Sequence, residues 1–132
     1  MEEIFIDSSA LFAWGDPSGD EAREIERIIT ERRIPLVTTN LVFAETISLV
    51  TKRVGKSQGL KLGEKILFSR FIHRIHVDEK LQQESWHFYK KYQDKDFDLV
   101  DATSFVICRK RGIKEVLTLD RHFSQMGFKV YP

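Results

Sequence analysis

The sequence has 132 residues, 42% of them hydrophobic, which suits one domain with a single core spanning residues 1 to 132. Its 21 basic and 20 acidic side chains leave a net charge of +1, so the overall charge gives no argument for nucleic-acid binding. No apolar run approaches the roughly 18 residues that span a bilayer, and the acidic start MEEIFID lacks the basic region of a secretory signal. Because the lone Cys108 cannot form an internal disulfide, we expect a cytoplasmic protein without membrane association.

The first half of the chain alternates between short apolar runs and amphipathic stretches. The residues Ile-Phe-Ile at positions 4 to 6 predict a strand buried on both faces. After the Gly- and Pro-containing segment WGDPSGD, a helix is expected to begin near Asp20. A second strand is predicted at residues 34 to 38, and Asn40 is expected to cap a helix over residues 41 to 54.

The middle of the chain continues this alternation. A further helix is predicted through residues 60 to 67. Ile75 and Val77 alternate with polar residues, which predicts a half-exposed strand. Residues 79 to 92 carry aromatic side chains at helical spacing and predict another helix.

The stretch DFDLVDATSFVICRKRG predicts a helix with marked ends. Asp98 is expected to be its N-cap, with Asp101 at the third helical position as in a capping box, and Gly112 lies just past its end. The remaining predicted elements are a strand at 116 to 119, a helical turn at 121 to 125 and a strand at 128 to 131. Alternating strands and helices predict an α/β fold, a three-layer α/β/α sandwich with a mostly parallel central sheet.

Four acidic residues occupy unusual positions in this pattern. Asp7 and Asp120 each directly follow a predicted buried strand, and ligands collect at the carboxyl ends of strands in open α/β sheets. Glu45 falls on a largely apolar helix face, where a carboxylate needs a cation or a hydrogen-bond network. Asp101 repeats that pattern, with Phe105 four residues later.

Each of these acids also has an ordinary explanation, such as a turn hydrogen bond or an ion pair. Four convergent carboxylates, however, would repel each other unless divalent cations neutralised them. Oxygen ligands without a thiolate or histidine cluster favour Mg²⁺ or Mn²⁺. No histidine site is predicted, because the four histidines are scattered along the sequence: His73, His76, His87 and His122.

Such a site suits metal-assisted hydrolysis of phosphodiester bonds. Two metals about 3.5–4 Å apart can activate water and stabilise the leaving oxygen. The cations also offset repulsion between an acidic pocket and a polyanionic substrate. Basic runs are then expected to guide the substrate backbone from the rim, among them Lys52, Arg53, and Arg109 to Arg111.

The chain also resembles a known family nearly end to end, the PIN-domain ribonucleases, and in particular the VapC-type toxins of VapBC toxin–antitoxin modules. Asp7 lies in a stretch similar to the family's opening strand, IFIDSSALFAW, and Glu45 in its second segment, TTNLVFAETISL. Asp101 lies in the third segment, DLVDATSFVICRKRGI, and Asp120 in the C-terminal signature, VLTLDRHFSQMGFKVYP. One departure is Asp98, where such proteins often carry a serine.

The resemblance implies an endoribonuclease that depends on Mg²⁺ or Mn²⁺, with Asp7, Glu45, Asp101 and Asp120 as its catalytic and metal-binding acids. It also implies an RNA substrate, a cognate VapB-type antitoxin and a homodimer. Ser9 and Asn40 are expected to orient the acids.

Besides a PIN fold that has lost catalysis and only binds RNA or a partner, two alternatives remain open at this point. One is a PIN nuclease that acts in RNA processing outside a toxin–antitoxin module. The other is a non-catalytic, metal-dependent binding module, because Asp7-Ser8-Ser9 partly resembles the D-x-S-x-S adhesion motif, although Leu11 occupies its final serine position. Asp96 is expected to be a solvated loop residue.

Overall fold

The computed structural model describes residues 2–16 and 18–132. Within these ranges the chain forms short strands separated by one or two helices. In chain order they are β1 Ile4–Ile6, α1 Ser8–Trp14, α2 Asp20–Arg32, β2 Leu36–Thr39, α3 Asn40–Arg53, α4 Lys56–Leu67, β3 Ile72–Ile75, α5 Glu79–Lys91, α6 Leu99–Arg111, β4 Glu115–Leu117, α7 His122–Gln125 and β5 Lys129–Tyr131.

The strands form one five-stranded sheet in the order β3-β2-β1-β4-β5, and every pairing is parallel. The chain runs from β1 outward to β3, then crosses to the other side of β1 for β4 and β5. Because such crossovers are right-handed, α1 to α4 cover one face of the sheet and α5 to α7 cover the other. The predicted α/β fold class is confirmed, and the sheet is parallel throughout.

Aromatic packing fixes the position of α6. Phe105 is fully buried and meets Phe97 edge-on at a ring separation of 5.0 Å and Phe123 at 4.9 Å. Phe88 of α5 and Phe128 also lie against it, at 6.0 and 5.9 Å. These contacts join α6 to α5 and α7 in one apolar layer, and aromatic pairs of this kind add about 0.5–1.5 kcal/mol each beyond area burial. They hold the N-terminal turn of α6 against the sheet.

The first helix, α1, was not predicted. It begins at Ser8, directly after Asp7, and has only seven residues, too few for a clear apolar period. Its stability comes from tertiary packing, because Ala10 and Leu11 are fully buried and the helix lies against α2 and α3.

The expected capping role of Asn40 is wrong. Thr39 is the N-cap of α3, and its Oγ1 accepts a hydrogen bond of 3.0 Å from the Val42 backbone N–H. The Asn40 side chain instead accepts a bond of 2.7 Å from the Val77 N–H, which ties the start of α3 to the segment after β3. Val77 is buried there but lies outside β3.

The predicted ends of α6 are confirmed. Asp98 accepts a hydrogen bond of 2.8 Å from the Asp101 N–H, and Asp101 accepts one of 3.2 Å from the Asp98 N–H, which completes a capping box. Gly112 ends the helix with φ of 69°, a left-handed conformation that suits glycine.

We expect Asp98→Ala to lower the free energy of unfolding by about 1 kcal/mol relative to Asp98→Asn. Both variants remove the negative charge beside Asp101, but only Asn keeps an oxygen that can accept the capping bond. Urea denaturation of the two variants isolates the contribution of the cap. Equal unfolding free energies would show that this hydrogen bond does not stabilise α6.

No helix among residues 2–16 and 18–132 is both long enough and apolar enough to cross a membrane.

Candidate functional site

The predicted acids lie at the carboxyl end of the sheet, near the point where strands on one side of β1 give way to strands on the other side. Strand β1 lies between β2 and β4, so its carboxyl end borders the crevice in which open α/β sheets bind ligands. Asp7 follows β1 directly, and its N–H donates to the Leu117 carbonyl of β4 at 3.0 Å. Asp120 lies three residues after the end of β4, and Asp101 lies in the first turn of α6.

Asp7 is held at the floor of this crevice. It is 2% exposed, and its Oδ2 accepts hydrogen bonds from Thr118 Oγ1 at 3.2 Å and Ser9 Oγ at 3.3 Å. Its Oδ1 has no hydrogen-bond partner among the described residues. Burial raises the pKa of Asp7 to about 6, against the effect of hydrogen bonds from the Ser8 N–H and Thr118, and the charges of Asp120 and Glu45 raise it further.

Asp101 is buried beside other carboxylates. Burial is the largest cause of its raised pKa, followed by the negative charges of Asp98 and Asp7, and Asp120 adds to the effect. The hydrogen bond from the Asp98 N–H acts in the opposite direction. Neutralising cations would therefore stabilise the ionised form of this carboxyl.

Glu45 reaches the same group from α3. Its side chain is half-buried, which is less burial than the apolar residues around it in the sequence predicted. Burial raises the pKa of Glu45, and a hydrogen bond from Ser8 lowers it. The charge of Asp98 also raises it, and Glu45 in turn acts on Asp7. The structure therefore brings all four predicted residues into one electrostatically connected group, which we call the acid cluster: Asp7, Glu45, Asp101 and Asp120.

Sequence reasoning missed His122. The statement that no histidine joins a site is wrong, because His122 Nδ1 lies 2.9 Å from Asp120 Oδ1 and 3.6 Å from Asp101 Oδ2. Its Nε2 lies 2.9 Å from Asp96 Oδ1, and Asp96 is the exposed loop residue that was expected, with a side chain 76% exposed. Burial opposes protonation of the ring, but the nearby carboxylates, Asp120 foremost, raise the His122 pKa.

Thr118 was missed as well. Its Oγ1 donates to Asp7, lies 3.0 Å from Ser9 Oγ, and accepts from the Asp120 N–H at 3.0 Å. This hydroxyl thereby fixes the Asp7 carboxylate relative to Asp120. The predicted orienting role of Ser9 agrees with its bonds to Asp7 and to the Leu119 N–H. Asn40 bonds only to the Val77 N–H among the side-chain contacts described.

The basic side chain of Arg111 does not line the rim of this crevice, contrary to expectation. Helix α6 begins at the acid cluster and runs back across the sheet, and Arg111 at its end pairs with Glu3, just before β1, at 2.7 Å. At 1.5 Å per residue, Lys52 and Arg53 likewise lie at the far end of α3. Substrate guidance by these residues stays a prediction, and the structure places them away from the acid cluster.

The residues present fit a hard divalent cation. Asp101, Asp120 and His122 each place one potential ligand atom within 4.8 Å of the others. Beside them lies the buried carboxylate oxygen of Asp7 that lacks a hydrogen-bond partner, which is an unfavourable state unless a cation compensates it. Carboxylate oxygens are the ligands that Mg²⁺ and Mn²⁺ prefer.

Comparisons of the sequence and of the structure with known proteins both find VapC proteins. VapC20 of Mycobacterium tuberculosis, named as a 23S rRNA-specific endonuclease, is 29% identical over 125 residues, covering 95% of each chain. Ribonuclease VapC26 of the same organism is 28% identical over 124 residues, covering 93% of this chain and 91% of its own. The crystal structure of VapC20, described as a sarcin-ricin loop cleaving toxin, superimposes with a TM-score of 0.86 over 95% of both chains.

A more distant structure shares the fold alone. The DNA-bound VapBC of Salmonella typhimurium matches with a TM-score of 0.71 at 13% identity, covering 99% of this chain and 98% of that one. The model of the PIN domain family matches residues 4–129, a range that contains every acid of the cluster. The resemblance seen in the four sequence motifs is confirmed, and the chain belongs to the PIN domain family.

Proposed function

We propose that this protein is a metal-dependent endoribonuclease that cleaves RNA phosphodiester bonds, as the toxin of a VapBC-type module. The observation that carries the proposal is the acid cluster, four carboxylates gathered at the reversal point of a parallel sheet with one buried oxygen of Asp7 unpaired. The same reaction is supported by two relatives that are named as an rRNA endonuclease and a ribonuclease, and that align with nearly the whole chain.

Asp7 and Asp101 are the residues we assign as direct ligands of Mg²⁺ or Mn²⁺. Glu45 and Asp120 complete the site, either directly or through water. A bound divalent ion supplies positive charge that polarises the phosphodiester and favours deprotonation of the attacking water. The protein holds its acids in place beforehand, through the capping box for Asp101 and through Thr118 and Ser9 for Asp7.

RNA is the substrate class, and the similarity to VapC20 makes 23S rRNA the first substrate to test. Purified protein should cleave it with Mg²⁺ or Mn²⁺ present and should lose this activity with EDTA. Restoring the metal should restore the cleavage. Cleavage that continues in excess chelator would reject the metal-dependent site, and intact RNA at millimolar metal would reject 23S rRNA as substrate.

We also propose a VapB-type antitoxin as partner, a homodimer and a cytoplasmic location. The antitoxin proposal is supported by the fold, which this chain shares with a toxin that was solved in a VapBC complex. Co-purification with the product of an adjacent short reading frame would test the partner, and light scattering of the purified chain would test the dimer. A monomer at micromolar concentration would contradict the latter.

A further inference from the structure

His122 has a position that the family resemblance did not assign. It begins α7, two residues after Asp120, and its ring nitrogen Nδ1 faces the acid cluster. The backbone N–H of His122 also donates to Asp120 Oδ1 at 2.9 Å, so ring and carboxylate are fixed to one tight turn. The Asp120 carboxylate is therefore held at the start of α7, beside the His122 ring.

The two ring nitrogens have different surroundings. Nδ1 lies between Asp120, at 2.9 Å, and Asp101, at 3.6 Å. Nε2 points the other way and meets only Asp96 Oδ1, at 2.9 Å, among the described side chains. If Asp96 accepts the proton of Nε2, the lone pair of a neutral ring is on Nδ1 and is directed at the site.

This is the arrangement that metal-binding histidines adopt in proteins. Such a histidine usually donates its other ring N–H to a carboxylate, which fixes the tautomer and the ring orientation. Here Asp96 would play that part. A second, independent sign of a cation is the buried Asp7 oxygen without a partner among the described residues, since the charge of Asp7 acts on Asp101 and the charge of Asp120 acts on Asp7.

We propose that His122 is a nitrogen ligand of the metal through Nδ1, alongside Asp101 and Asp120, and that Asp96 positions its ring. This inference rests on the proposed metal-dependent function and adds a donor of a different chemical kind to it. A mixed nitrogen and oxygen donor set favours first-row transition ions over Mg²⁺, which binds oxygen ligands almost exclusively. The site therefore selects Mn²⁺ over Mg²⁺ more strongly than four carboxylates alone would.

A competing arrangement uses the same contacts. A protonated His122 could serve only as an internal cation that balances the three nearby carboxylates in the metal-free protein, and would then turn away when metal binds. The two arrangements differ in one measurable property, which is whether a histidine nitrogen is bonded to the ion.

Pulsed electron paramagnetic resonance of the Mn²⁺-loaded protein tests this directly. We expect the wild type to show the modulation of a bound imidazole nitrogen, and this signal should change to the ¹⁵N pattern when the histidines are labelled with ¹⁵N. His122→Ala should abolish the signal and weaken Mn²⁺ binding by about tenfold or more, with a smaller effect on Mg²⁺ measured by competition. His87→Ala, at an exposed position of α5, is the matched control and should change neither.

Asp96 supplies the test of the positioning role. Asp96→Ala should weaken Mn²⁺ binding about tenfold, whereas Asp96→Asn keeps an acceptor oxygen for Nε2 and should retain most of the affinity. Equal affinities of the two variants would overturn the role of Asp96. Bound Mn²⁺ without histidine nitrogen coupling in the wild type would overturn the role of His122 and leave the proposed nuclease site standing. Absence of Mn²⁺ binding at millimolar concentration would overturn both.

Discussion

Asp101→Asn is expected to reduce metal-dependent RNA cleavage by about 10³-fold while leaving the fold intact. Charge stabilisation by a bound metal contributes several kcal/mol to the transition state, and each 1.36 kcal/mol corresponds to tenfold in rate. Asn keeps an oxygen that can accept the capping bond from the Asp98 N–H, so α6 retains its start. The measurement is the initial rate of cleavage at saturating Mn²⁺.

Loss of activity must be separated from loss of structure. Asp20→Asn makes the same chemical change in the first turn of α2, at an exposed position outside the acid cluster, and should keep wild-type activity. The melting temperature of metal-free Asp101→Asn should equal or exceed that of the wild type, because a buried carboxyl in a repulsive group has been removed. Full cleavage by Asp101→Asn at matched metal concentration would reject the assignment of Asp101.

The metal-free protein is expected to lose stability as the pH rises from 5 to 8. The pKa of Asp7 is raised from its ordinary value of 3.8 to about 6 in the folded state, and that of Asp101 is raised as well. Between the unfolded and folded pKa values the folded protein binds more protons than the unfolded one, so its stability falls with increasing pH. The raised pKa of His122 acts in the same direction, because the stability it contributes is lost as the ring deprotonates.

The expected loss in free energy of unfolding between pH 5 and pH 8 is on the order of 2–3 kcal/mol. Urea denaturation in EDTA at both pH values measures it. Saturating Mn²⁺ should restore stability most at pH 8, because it binds only the folded state and the ionised acids. Asp7→Asn should show a smaller pH dependence than the wild type. A wild-type stability that rises over this range would contradict a cluster of ionised, metal-free carboxylates.

Much of the fold could be predicted because its signals are local. The apolar run Ile4–Ile6, the capping box of Asp98 and Asp101, and Gly112 after the last turn of α6 each act through neighbours in sequence. The alternation of elements then implied a parallel sheet. The helix α1 could not be predicted, because it depends on the buried Ala10 and Leu11 meeting α2 and α3.

The acid cluster was predictable for a topological reason. Asp7 and Asp120 each follow a strand, and parallel strands have their carboxyl ends on the same side of the sheet. Their proximity could therefore be predicted without knowing any side-chain contact. The roles of His122, Thr118 and Asp96 could not be predicted in this way. They depend on how the chain folds after β4 and before α6. The pattern Asp-x-His at residues 120 to 122 was the available signal, since it puts an imidazole two residues from a predicted ligand. The direction of α6 likewise decides where Arg111 lies.

Diffraction from crystals soaked in Mn²⁺, recorded where manganese scatters anomalously, tests the central claim most directly. We predict an anomalous peak in contact with a carboxylate oxygen of Asp101 and with the unpaired oxygen of Asp7, and beside Asp120. Crystals of Asp101→Asn should lack it. An ordered structure with these carboxylates in place but no peak among them, at millimolar Mn²⁺, would contradict the assignment of this crevice as a metal-dependent nuclease site.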